Sequence, residues 1–216
     1  MDAIFFDLDG TLTDPRIGIT RSIQYALAAL DHPVPEEQDL LWCIGPPLLK
    51  SFRTMLGREA LAERAVALYR ERFSEIGIYE NSVYYGIPDL LAALVGGPRL
   101  FVATSKPAIF AERIIAHFGM TSYFERVFGS GLDGAYAEKT ELLKYALEQS
   151  GLDGRRAVMV GDRSFDMIGA RHNQMTSVGV LYGYGSEAEL RGAGAQHLCA
   201  TPQDLRTLLD RLKGRD

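Results

Sequence analysis

The stretch Phe5-Phe6-Asp7-Leu8-Asp9-Gly10-Thr11-Leu12-Thr13 decides how this chain is read. An apolar run from Ala3 to Phe6 leads into two carboxylates separated by one residue, and a glycine and two threonines follow. Ile4, Phe5 and Phe6 read as a buried strand of a parallel sheet, which carries apolar residues on both faces. A strand that should continue apolar ends instead in Asp7 and Asp9, whose side chains a period of two points the same way. Two anions so placed repel each other, and burying them unpaired costs several kcal/mol. A bound hard cation such as Mg²⁺, for which carboxylate oxygen is the natural ligand, resolves that conflict.

After Thr13 the pattern changes. Apolar residues recur at helical spacing over 18–30, 48–56 and 59–76, with Ile19, Ile23, Leu27 and Leu30 as one stripe. Pro33, Val34 and Pro35, then Gly45-Pro46-Pro47, break these helices apart, and no strand is expected between about 15 and 80. Alternation then resumes. Helix 87–95 has Pro88 in its first turn and is followed by strand 99–104, helix 108–118 and a short strand at Val127-Phe128. Helix 138–150, strand 157–160, helix 165–172, strand 177–180 and helix 205–212 complete the chain. This order implies an α/β fold, a doubly wound parallel sheet with a small α-helical domain inserted after the first strand. The expected division is 1–14 with 82–216 as a Rossmann-like core, and 15–81 as the insert. Ligands of open α/β sheets lie at the carboxyl ends of strands, so an insert at this point would roof the site.

A length of 216 residues suits one large domain, or one domain with a smaller insert. Hydrophobic residues make up 47%, enough for a substantial core. The net charge of −5, with no basic patch or stripe, argues against a nucleic-acid partner. No apolar run approaches the ~18 residues of a membrane span, and no basic segment followed by an apolar one opens the chain. A cytoplasmic protein is expected, monomeric or weakly dimeric. Cys43 and Cys199 fit that compartment as two free thiols better than as one disulfide. His32, His117, His172 and His197 form no spaced cluster.

Four strand ends carry polar residues: Asp7/Asp9, then Thr104-Ser105-Lys106, then Lys139 after a glycine-containing loop, then Gly161-Asp162-Arg163-Ser164-Phe165-Asp166. The aspartates offer oxygen to a metal. Thr104, Lys139 and nearby backbone N–H groups offer donors to an anion. Metal and donors together describe a phosphoryl group held for displacement, where catalysis is largely positioning and charge neutralisation.

With these residues in this order, from Asp7 to Asp166, the chain resembles the haloacid dehalogenase (HAD) superfamily in its capped phosphatase branch. It is similar to the phosphoglycolate-phosphatase-like and 5′-nucleotidase-like members. Ile44-Gly45-Pro46-Pro47-Leu48 and the segment GIYENSVYYG (77–86) resemble the nucleotidase-like subgroup. The resemblance implies a Mg²⁺-dependent phosphatase acting on a small phosphate ester. It implies Asp7 as nucleophile, giving an aspartyl-phosphate, and Asp9 as general acid and then base. The implied metal ligands are Asp7, the Asp9 backbone carbonyl and Asp162, with Asp166 expected through water or through Lys139. Thr104 and the Ser105 N–H would hold the phosphoryl oxygens, and Lys139 would neutralise charge on Asp7 and the phosphate. Gly10 and Lys106 complete the expected substrate contacts.

Each assignment has a plainer alternative. Thr104 is also a candidate helix N-cap, Lys139 a solvated helix residue, Asp162 a cap after Gly161, Asp166 a helix-surface acid and Lys106 a surface lysine. Three rivals keep the fold. A dehalogenase would lack the second carboxylate, which Asp9 supplies. A phosphomutase of the family often has valine where Thr11 stands. A phosphonate hydrolase needs an insert lysine for a Schiff base, and Lys50 is the insert's one lysine. A non-catalytic binder of the same fold would be expected to lose one of these acids, and all are present.

Overall fold

The computed structural model describes residues 1–213. The chain runs through β1 (Ala3–Phe6) and β2 (Thr13–Asp14) into α1 (Arg16–Ala28), α2 (Leu48–Leu56) and α3 (Glu59–Glu75). It continues through β3 (Ser82–Val83), α4 (Ile87–Leu94), β4 (Arg99–Pro107), α5 (Ala108–His117), β5 (Arg126–Ser130) and α6 (Lys139–Ser150). The last part is β6 (Ala157–Gly161), α7 (Ser164–His172), β7 (Thr176–Val180), α8 (Glu187–Gly192), β8 (His197–Cys199) and α9 (Pro202–Lys213). Two compact units result, one of residues 1–13 with 83–216 and one of residues 14–82.

The larger unit is a six-stranded sheet in the order β5-β4-β1-β6-β7-β8, with every described pairing parallel. The chain moves outward from β1 to β5, then returns to the other side of β1 at β6. The strand order therefore reverses between β1 and β6, and the crevice of an open α/β sheet lies outside the carboxyl ends at such a point. β1 and β6 are buried along their whole length, as central parallel strands must be. Side chains alternate between the faces. Phe5 stacks on Phe101 at 4.8 Å and joins Phe128, Leu142, Leu143 and Ala170, so α6 and α7 cover that face. Phe6 points the other way and meets Phe124 edge-on at 6.3 Å.

The smaller unit is helical. Ile19, Ile23 and Leu27 are buried on α1 as the stripe predicts. Leu30 falls beyond the helix, which stops at Ala28. Tyr69 stacks on Phe73 at 5.1 Å and meets Phe52 edge-on. Arg72 grips both oxygens of Glu80, at 2.8 and 3.0 Å, which fastens the end of α3 to the segment after it.

Two expectations change. The first strand stops at Phe6, so Asp7 and Asp9 are not successive same-face residues of one strand. Asp7 N–H still bonds to Val160 O at 2.9 Å, but the chain then turns: Leu12 and Thr13 N–H both bond back to Leu8 O. Four short elements were also not expected, the two-residue strands β2 and β3 among them. α8 has six residues and β8 three, too few to print a period on the sequence. Neither Cys43 nor Cys199 is in a disulfide, and both are buried. Among the described residues no helix is long and apolar enough to cross a membrane.

Candidate active site

The polar residues gather at the carboxyl ends of β1, β4 and β6 and at the start of α6. Asp7 follows β1, Asp162 follows β6, and Asp166 lies in the first turn of α7. These three carboxylates are buried, and an oxygen from each lies within 4.8 Å of the others. Lys139, the first residue of α6, is also buried. Its Nζ stands 3.0 Å from Asp7 Oδ1 and 2.9 Å from Asp166 Oδ1, and donates to Ala103 O at 2.8 Å. Three acceptors around one ammonium fix both its position and its charge. Burial alone pulls the Lys139 ammonium toward neutrality, but Asp166 and Asp7 outweigh it and hold its pKa above the ordinary value.

Asp9 stands apart from this cluster. Its Oδ2 pairs with Lys106 Nζ at 2.9 Å, and both side chains are buried, so Lys106 is not a surface lysine. Asp9 Oδ1 is buried and accepts no hydrogen bond from the described residues. Burial raises the Asp9 pKa, and the Lys106 charge only partly opposes it.

Thr104 sits at a bulge in β4, and its hydroxyl oxygen accepts from Lys106 N–H at 3.2 Å. That rules out the helix-cap reading, since Pro107 precedes α5. A hydroxyl that accepts still has its proton to donate. Ser105, beside it, uses its carbonyl to accept from Ser130 Oγ at 2.9 Å. Gly10 donates its N–H to Thr13 O at 2.8 Å. It turns at φ 84°, and a Cβ there would strike Asp162 Oδ2, so glycine is what lets the turn close on that carboxylate.

Nor does Asp162 cap α7. Arg163 holds the cap position, and Asp166 accepts from Arg163 N–H at 3.0 Å. Asp162 instead accepts from Tyr184 N–H at 2.8 Å and from the Thr11 hydroxyl at 3.3 Å. Burial raises the Asp162 pKa well above its ordinary value, and the charges of Asp166 and Asp7 add to it. Asp166 is likewise raised, first by burial. Thr11 and the loop bearing Tyr184 were not expected at the site. The glycines flanking Tyr184, just after a strand of the core, were the available signal.

Four buried carboxylates thus face two ammonium groups, leaving two formal negative charges; Arg163 nearby is matched by Glu189 at 3.0 Å. An all-oxygen donor set of that charge fits a divalent hard cation, Mg²⁺ above softer metals.

Comparison with known proteins places the chain in a family. The family model described as haloacid dehalogenase-like hydrolase matches residues 4–180. A 5′-nucleotidase of Pseudomonas aeruginosa is 50% identical over 209 residues, covering 96% of this chain and 95% of that protein. The tyrosine-protein kinase PtkA of Mycobacterium tuberculosis is 43% identical over 183 residues, covering 84% of this chain and 62% of that protein. The crystal structure of a predicted phosphatase from Clostridium acetobutylicum matches with a TM-score of 0.94 at 40% identity, covering 97% of this chain and 98% of that one. A parallel α/β sheet in this strand order defines a Rossmann-like fold, with acids and a lysine gathered at its carboxyl edge. The chain belongs to the haloacid dehalogenase-like hydrolases.

Proposed function

We propose that this hydrolase is a Mg²⁺-dependent phosphatase that cleaves a small phosphomonoester through an aspartyl-phosphate on Asp7. The observation that carries the reading is the Asp7–Lys139–Asp166 cluster with Asp162 beside it, buried at the point where the strand order reverses. Asp7 and Asp162 would hold the cation with their carboxylates and Asp9 with its backbone carbonyl, while Asp166 acts through Lys139. Bound there, Mg²⁺ supplies the positive charge that lets an anionic nucleophile approach a phosphate dianion.

In the first step an Asp7 oxygen attacks phosphorus and the ester P–O bond breaks. Asp9, whose burial favours its protonated form, gives its proton to the leaving alkoxide. In the second step Asp9 takes a proton from water, whose oxygen displaces Asp7 from phosphorus. Lys106, Thr104 and the Ser105 N–H lie at one strand end and serve the phosphoryl oxygens. Lys139 stays cationic throughout and balances Asp7. The helical unit 14–82 is assigned the part of a cap that excludes water in the first step and admits it in the second.

For the substrate, likeness to a 5′-nucleotidase across nearly the whole of both chains favours a nucleoside 5′-monophosphate. The tyrosine kinase matches over less than two thirds of its own length, and its activity is not carried over. A panel of phosphate esters scored by phosphate release tests both levels. Nucleoside 5′-monophosphates are expected to give a higher kcat/KM than phosphoglycolate. Preference for phosphoglycolate overturns the substrate reading alone, and no release from any ester overturns the phosphatase reading.

A further inference from the structure

We propose that the loop 181–186, between β7 and α8, positions the Asp162 carboxylate and thereby sets how tightly the centre holds its divalent cation. The inference rests on the metal-assisted reading above.

Asp162 is fully buried, and neutral donors orient its two oxygens. Tyr184 N–H takes Oδ2 at 2.8 Å and the Thr11 hydroxyl takes Oδ1 at 3.3 Å. Each oxygen has about two lone-pair directions, so one donor apiece fixes the group and leaves a direction for a cation. The loop serves both donors. Tyr184 comes from it directly. Thr11 is held in turn by the Tyr182 hydroxyl, which donates to Thr11 O at 3.1 Å, while the Tyr182 ring packs edge-on against Tyr84 at 5.1 Å.

Backbone contact makes this possible. A Cβ on Gly183 would lie 2.3 Å from Gly10 O and 2.4 Å from Asp162 Cβ, and one on Gly185 would lie 1.9 Å from Asp162 O. Any side chain at either position pushes the loop off Asp162 and withdraws the Tyr184 N–H. The loop is anchored at both ends. Leu181 N–H bonds to Cys199 O at 2.9 Å, and the Ser186 hydroxyl accepts from Glu189 N–H at 3.1 Å. Glu189 also reaches back to the turn after Asp162, accepting from Arg163 Nε at 3.0 Å and Ser164 N–H at 2.9 Å. The carboxylate is thus gripped directly on one side and through its own following turn on the other.

Removing the partners that orient a metal ligand weakens affinity about 10–100-fold. The test is Mn²⁺ binding to the full chain without substrate, followed by loss of the free-ion EPR signal, with Mg²⁺ by competition. Gly183→Ala is expected to weaken binding at least about tenfold. Tyr182→Phe removes one hydroxyl and keeps the ring, and about threefold is expected. Melting in EDTA reports whether each variant folds, and Tyr182→Phe decides the matter if Gly183→Ala does not. Folded variants that bind Mn²⁺ as tightly as the unaltered chain overturn the role of the loop alone. Failure of the unaltered chain to bind Mn²⁺ overturns the metal centre and this role together.

Discussion

Asp7→Asn is expected to bring hydrolysis of p-nitrophenyl phosphate to background, a loss on the order of 10⁴-fold or more, while leaving the protein folded. An amide has the carboxylate's shape but no anionic oxygen to attack phosphorus. Lys139 keeps Asp166 at 2.9 Å and Ala103 O at 2.8 Å, so its position survives the change. The substitution also removes one anion from a group whose charges raise the pKa values of Asp162 and Asp166. The melting temperature should therefore hold or rise in the absence of metal. Hydrolysis at a rate comparable to the unaltered enzyme would exclude Asp7 as nucleophile.

Chelation has the second largest effect. EDTA is expected to remove activity by about 10³-fold, the several kcal/mol that a Lewis acid contributes at a phosphoryl group, and excess Mg²⁺ to restore it. The cause is the charge imbalance at the centre. Lys139 answers Asp7 and Asp166, Lys106 answers Asp9, and Asp162 is held by a backbone N–H and a hydroxyl. The carboxyl pKa values of Asp9, Asp162 and Asp166 are raised, first by burial and then by the neighbouring carboxylates. With Mg²⁺ present the folded state gains binding free energy, so the melting temperature should rise with Mg²⁺ concentration. Full turnover in EDTA would contradict the part given to these carboxylates.

Much of this was legible in the sequence because it is local. Strand 99–104 and the helices at 48–56 and 59–76 declare themselves through period and through proline or glycine at their ends, and the structure shifts them by only a few residues. Asp7, Lys139, Asp162 and Asp166 were legible as a set because each follows an apolar strand or opens a helix. What escaped depends on tertiary reach. Nothing in Ser105-Lys106-Pro107 says that the lysine turns inward to Asp9. Nothing near Asp162 says that its partner is a backbone N–H at Tyr184, 22 residues on. The turn after Asp7 escaped for another reason. The strand stops at Phe6 and the chain turns through Gly10, sooner than the spacing of Asp7 and Asp9 suggested, and the two acids take different lysines rather than sharing one face.

That division supports the two roles proposed above, in which one acid would form the bond to phosphorus and the other would move the proton. The direct test is to quench the enzyme in acid during turnover of a phosphate ester and map the modified peptide by mass spectrometry. A phosphoryl group on Asp7, reducible by borohydride to homoserine at that position, is the expected result. Turnover with no covalent phosphoryl group on Asp7 at any time point, or with the group on another residue, would contradict it.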